Sequence, residues 1–204
     1  MKTPLIVGVS GGTGSGKTLF IHKLTEALPG QISVLSMDNY YLDIGQQPRD
    51  ENGIENFDLP ESLDKNRLIT DLQRLKHGEN ISIKEYTFNN LEKVPSTINI
   101  QATPIIIVEG IFTFYFDEIN HLLDLKIFID APTYLMLSRR IDRDANERGY
   151  DLKDVIYRFE NHVMPSMKKY ISPLKNNSDL IIPNHTHFEK AIHVITGYLK
   201  NTSK

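Results

Sequence analysis

Short, almost continuous apolar runs alternate along the chain with longer stretches whose apolar residues recur every three or four positions. That alternation predicts a parallel sheet covered by helices. Leu5–Ser10 reads as a buried first strand, Lys17–Leu28 as the helix after it, and Ile32–Met37 as a second strand. Leu63, Leu68, Leu72 and Leu75 form a helical stripe that stops at His77-Gly78, where glycine suits the turn past a helix end. Ile105–Val108 is the most apolar run and predicts an interior strand buried on both faces. Leu125–Ile129 and Asp179–Ile182 predict two further strands. Between them the pattern gives one helix from near Pro132 to near Gly149 and another from about Asp151 to Tyr170; a last helix covers Phe188–Leu199.

Two stretches break this rhythm. Asp43–Pro60 is polar, contains Gln-Gln-Pro and Asn-Gly, and reads as a long loop of the kind that carries function in compact domains. Ile81–Phe88 and Thr97–Ile100 alternate apolar and polar residues and predict a β-hairpin appended to the sheet. With no internal repeat or linker, residues 1–204 read as a single α/β domain with a hairpin insert over residues 81–101.

Composition narrows the chemistry. A formal net charge of -3 argues against broad binding of nucleic acid, so no nucleic-acid partner is expected. The absence of cysteine removes disulfides, cysteine-ligated zinc and thiol catalysis, and accords with a cytoplasmic location. Met-Lys-Thr-Pro runs directly into Leu5–Val9, too short for a signal peptide, and no apolar run approaches bilayer length, so no membrane association is expected. The 7 histidines are scattered; His185 and His187 could point the same way, but no third ligand has suitable spacing for a dedicated metal site.

The strongest local signal is Gly11-Gly12-Thr13-Gly14-Ser15-Gly16-Lys17-Thr18, which matches the Walker A pattern between a predicted strand and a predicted helix. Glycines allow the backbone to wrap phosphate oxygens, and its N–H groups point inward at the positive end of the helix dipole. Lys17 would supply a cation for the β- and γ-phosphates and the Thr18 hydroxyl a ligand for Mg²⁺, so ATP and Mg²⁺ are the expected co-substrate and cofactor. Lys17 stands where a dinucleotide-binding motif would need its third glycine, which removes that reading.

Further candidates lie at the same end of the predicted strands. Glu109 closes the Ile105–Val108 strand, where a metal-side carboxylate is needed; a strand-end surface charge is the plainer alternative. Asp38 follows the second strand and could accept the proton of an attacking hydroxyl and touch the Mg²⁺ shell, although alone it would more often be a turn residue. The 132–150 region carries Arg139, Arg140, Arg143 and Arg148, which could clamp a transferring phosphoryl group as a lid or, on a solvated helix, pair with Asp142, Asp144 and Glu147.

Taken in order, these motifs resemble the uridine kinase family, relatives of phosphoribulokinase and bacterial pantothenate kinase. The likeness spans nearly the whole chain: Gly11–Thr18, Asp38-Asn-Tyr-Tyr41, Asn56-Phe-Asp58-Leu-Pro60, Val108-Glu-Gly-Ile111, Leu137 to Asp144 with Glu147-Arg-Gly149, and Asp179–Pro183. The resemblance implies a P-loop NTPase fold with an arginine-bearing lid helix. It also implies an ATP-dependent kinase acting on a primary hydroxyl, with uridine or cytidine as the first acceptor. It casts Asp38 as general base, and Asp58 and Tyr41 as the ribose site. Thr18 and Glu109 would flank Mg²⁺, Arg140, Arg143 and Arg148 would form the lid, and Tyr86 and Phe88 would close over the base. Relatives in this family often form homo-oligomers. The chain departs from the family pattern at Leu59, Leu91 and Tyr150, which stand where base-reading polar residues are expected. A different alcohol, such as another nucleoside, a sugar phosphate or pantothenate, therefore stays as a second acceptor reading. A nucleotide-binding regulator with little turnover is a third.

Overall fold

A computed structural model describes residues 3–88, 94–147 and 151–202. Its centre is a five-stranded sheet of β1 (Leu5–Ser10), β2 (Ile32–Ser36), β5 (Ile105–Glu109), β6 (Leu125–Asp130) and β7 (Leu180–Pro183), in the order β2-β5-β1-β6-β7. Every neighbouring pair in it is parallel. β1 and β5 lie inside and are buried on both faces, which is why their sequences are nearly unbroken runs of branched apolar residues.

Alternate residues of these strands feed two separate cores. On one face Ile6, Leu35, Ile106, Val108 and Phe128 pack with Leu68, Leu72 and Leu75 of α2 (Lys65–Lys76) and with Ile81, Ile83 and Ile100. On the other face Val7, Val9, Ile105, Ile107, Ile127 and Ile129 pack with α1 (Lys17–Ala27) and α7 (Glu189–Thr202). Leu63, expected in the α2 stripe, is buried in the first core from extended backbone ahead of the helix, because Asp64 accepts the Arg67 N–H and caps it there.

The hairpin differs from the expectation. β3 (Ile81–Lys84) and β4 (Thr97–Ile100) pair antiparallel and form a sheet of their own, separate from the parallel one. Ile81 and Ile83 bury one face of this ribbon while Ser82 and Lys84 stay exposed, so it joins the domain through side-chain packing. β3 ends at Lys84, four residues before the predicted limit, and Tyr86 and Phe88 lie beyond it.

A short α3 (Asp117–Asn120) was not evident from the pattern. The arginine-bearing helix is α4 (Thr133–Glu147). The helix expected over 151–170 is a chain of turns: α5 (Leu152–Arg158), a π-helical turn (Phe159–Val163), α6 (Met164–Ser166), a second π turn (Met167–Ile171) and a 3-10 stretch (Ser172–Asn177). Each π turn lies just before a proline, Pro165 or Pro173. Proline lacks an N–H and its ring crowds the carbonyl four residues back; widening the preceding turn relieves both. No helix among the described residues is long and apolar enough to cross a membrane.

Candidate active site

The carboxyl ends of β1, β2 and β5 open on one side of the sheet, and each delivers chemistry there. After β1 the chain turns through Gly11–Gly16 into α1. Gly16 has φ 100, and a Cβ there would meet the Asn184 amide nitrogen at 2.2 Å, so both conformation and space exclude a side chain. The Lys17 ammonium donates to the carbonyls of Gly11 at 3.0 Å and Gly12 at 3.1 Å, folded back over the loop. Two residues outside the motif brace it. Arg139 of α4 donates to the carbonyls of Gly14 (3.3 Å) and Ser15 (3.4 Å), and Asn184, just past β7, donates to Ser15 at 2.7 Å.

Strand register aligns the carboxylates. Val9, Glu109 and Ser36 are partners across β1, β5 and β2, and the Ser36 hydroxyl donates to Glu109 Oε1 at 2.5 Å. Burial raises the Glu109 carboxyl above its ordinary range and the Asp38 charge adds to this, while Lys17 and the Ser36 hydrogen bond oppose it. Burial likewise lowers the Lys17 ammonium, against the pull of Glu109 and Asp38. A lysine and two acids thus share a poorly hydrated corner. Crowded carboxylates beside a phosphate loop and the Thr18 hydroxyl suit Mg²⁺, which binds through one or two carboxylates plus substrate phosphates and relieves their repulsion.

A cleft of about 320 Å³ runs from this corner to the polar loop. Lys17, Thr18, Asp38 and Glu109 line it together with Tyr41, Phe57, Asp58, Tyr86 and Phe88. The rings form a continuous wall: Tyr41 meets Phe57 at 5.6 Å and Tyr86 at 5.4 Å, and Tyr86 meets Phe88 edge-on at 5.2 Å. Asn39 ties the middle of this wall by accepting the Tyr86 N–H at 3.0 Å. Asp58 is buried, and burial raises its carboxyl above the ordinary value despite the opposing charges of Arg140, His162, Arg143 and Arg158.

On α4, Arg140 and Arg143 converge on Asp144, at 3.1 and 2.8 Å, and both line the cleft. Of the two sequence alternatives the ion pairing is present, and it leaves both arginines on the cleft wall: Asp144 holds the two guanidinium groups there. Arg148, Leu91 and Tyr150 lie outside the described residues. His185 and His187 are exposed, and the described residues hold no cluster of three metal-ligating side chains.

The structure adds residues that the sequence reading did not select. Asn184 supports the phosphate loop beside Arg139, Phe57 extends the aromatic wall, and Val155 and Arg158 line the cleft. Arg158 and Asp154 carried a faint signal, the four-residue helical spacing of an ion pair, seen here at 2.9 Å. Asn184 carried only its place after a strand end.

The sequence matches the family described as Phosphoribulokinase / Uridine kinase over residues 6–189. It is 38% identical over 199 residues to the uridine kinase of Borrelia duttonii, covering 98% of this chain and 96% of that one. To uridine-cytidine kinase B of Dictyostelium discoideum it is 34% identical, covering 98% of this chain and 83% of the relative. Among solved structures, phosphoribulokinase from Rhodobacter spheroides shares the fold with a TM-score of 0.65 at 17% identity, over 90% of this chain and 71% of that one.

Proposed function

The chain belongs to the phosphoribulokinase / uridine kinase family, and from that premise we propose that it is an ATP-dependent kinase that phosphorylates the 5′-hydroxyl of uridine and cytidine. The observation that carries this reading is a single cleft lined both by Lys17, Thr18, Asp38 and Glu109 and by Asp58 with an aromatic wall. The first set suits a triphosphate and its metal, the second a nucleoside.

In this mechanism the nucleoside 5′-oxygen attacks the γ-phosphorus, the bond from that phosphorus to the β,γ-bridging oxygen breaks, and ADP departs. Asp38 takes the hydroxyl proton, a role suited to a carboxylate that lines the cleft with Lys17. Lys17 exchanges the carbonyls of Gly11 and Gly12 for the phosphates. Arg140 and Arg143, already oriented by Asp144, neutralise charge on the transferring group without reorganising during the reaction. Thr18, Glu109 and Asp38 are the residues that would hold Mg²⁺, which would supply positive charge to offset that of the phosphates. Asp58 accepts hydrogen bonds from the ribose hydroxyls, which favours its ionised form in the dry pocket. Tyr41, Tyr86 and Phe88 offer faces to the base.

ADP release should be followed with uridine, cytidine, pantothenate and a sugar phosphate as acceptors. Turnover on the two pyrimidine nucleosides is expected; turnover on pantothenate or the sugar with none on either nucleoside removes the acceptor assignment. In the same assay Asp38→Asn should lower kcat by about a hundredfold or more while ATP binding stays near wild type. A near wild-type kcat removes Asp38 as the base.

A further inference from the structure

The loop from Asp43 to Pro60, which carries Asp58 near its end, folds largely upon itself. Asp50 Oδ1 accepts the N–H groups of Asn52 and Ile54, both at 2.9 Å, and Asn56 Oδ1 accepts the Asp58 N–H at 3.0 Å. Asp50 Oδ2 faces away from these contacts. It accepts the Tyr157 hydroxyl at 2.7 Å and His162 Nε2–H at 2.8 Å, from α5 and the π turn that follows it. Asn52 donates to the same Tyr157 hydroxyl at 2.6 Å, and Arg158 donates to the Glu55 carbonyl at 2.6 Å.

The chemistry of the His162 contact is constrained. Hydrogen bonds from His162, Ile54, Tyr157 and Asn52 outweigh desolvation and hold the Asp50 carboxyl below its usual range. An ionised carboxylate only accepts, so Nε2 carries the proton. Nδ1 is then left without a hydrogen-bond partner, in a side chain only 2% exposed. A leucine could occupy this space without an orphaned nitrogen, so the histidine is a poor device for stability alone. What it supplies is direction, because one charge-assisted bond fixes where Asp50, and with it the loop, meets the helix. The same helical segment presents Val155 and Arg158 to the cleft that Asp58 lines, and the Arg158 charge acts on the Asp58 carboxyl.

We propose that Asp50, Tyr157 and His162 form a latch that sets the position of Asp58 relative to the α5 wall, so that acceptor affinity, and not ATP affinity, depends on it. All three are positioning residues. The kinetic half of the test rests on the proposed acceptor reading; an exchange measurement does not.

Tyr157→Phe, His162→Leu, the double variant and His162→Gln should be compared with wild type by steady-state kinetics and amide hydrogen exchange. The double variant is expected to raise the acceptor KM about tenfold, the scale of a lost charge-assisted hydrogen bond, with kcat and the ATP KM within about twofold. His162→Gln, which keeps an N–H donor, should recover most of the loss. Amides of Ile54, Asn56 and Asp58 should exchange faster in the double variant. An unchanged acceptor KM in folded protein, an ATP KM that rises in step with it, or unchanged exchange at these amides overturns the latch. Should His162→Leu fail to fold, Tyr157→Phe, which removes one oxygen from a partly exposed ring, carries the test with an expected threefold effect in the same direction. If wild type phosphorylates no nucleoside, the acceptor reading falls while the exchange measurement still decides the latch.

Discussion

Asp58 is buried at the end of a polar loop, and its carboxyl is raised above the ordinary value because burial outweighs the arginines and histidine around it. A carboxyl with a raised folded-state pKa adds to stability below its unfolded value of about 3.9 and loses that contribution as pH rises through the folded value. Asp58→Asn, a neutral isostere, should therefore melt higher than wild type at pH 7–8, with the difference shrinking towards pH 4. Thermal unfolding across that range checks it; a difference independent of pH, or a more stable wild type at neutral pH, sinks the argument. The same variant should lose acceptor binding, which would make Asp58 a place where function is bought with stability. Such residues were legible to different degrees. Lys17, Thr18, Asp38 and Glu109 stand at strand ends or in a motif whose spacing serves phosphate binding, so chemistry and chain position coincide in the sequence. Arg158, His162 and Asn184 act through partners at least 103 residues away in the chain, at Glu55, Asp50 and Ser15, and no local pattern encodes such a pairing.

At the scale of elements, the phosphate loop is braced from two directions, by α4 through Arg139 and by the end of β7 through Asn184. The Asn184 side chain is buried, and its amide satisfies the Ser15 carbonyl at 2.7 Å. Asn184→Ala frees that carbonyl and removes one brace, so the ATP KM should rise about five- to tenfold, within the scale of one hydrogen bond, and the acceptor KM should stay unchanged. Steady-state kinetics varying each substrate in turn decide this; an unchanged ATP KM would show that Arg139 alone suffices. Elements with strong periodicity were readable in sequence: β1, β5, β6, α1 and α2 fall close to their predicted spans. The departures have local causes. Prolines at 165 and 173 convert a predicted plain helix into alternating α and π turns, and β3 and β4 pair with each other and reach the domain through their buried isoleucines.

Across the whole molecule, the parallel sheet that periodicity predicted does more than carry strand ends to one side. Its alternating side chains feed two cores with almost no shared membership, one packed with α1 and α7, the other with α2, the β3–β4 ribbon and the turn around Tyr40. The phosphate loop enters α1, whereas Tyr41 packs against the opposite core and carries Tyr86 on its ring. Sequence periodicity could reveal that both faces were buried, but not which substrate each would serve, because that depends on the strand order. Because the two cores share no buried residue, a substitution in the packing beneath Tyr41 is expected to disturb the aromatic wall more than helix α1 behind the phosphate loop.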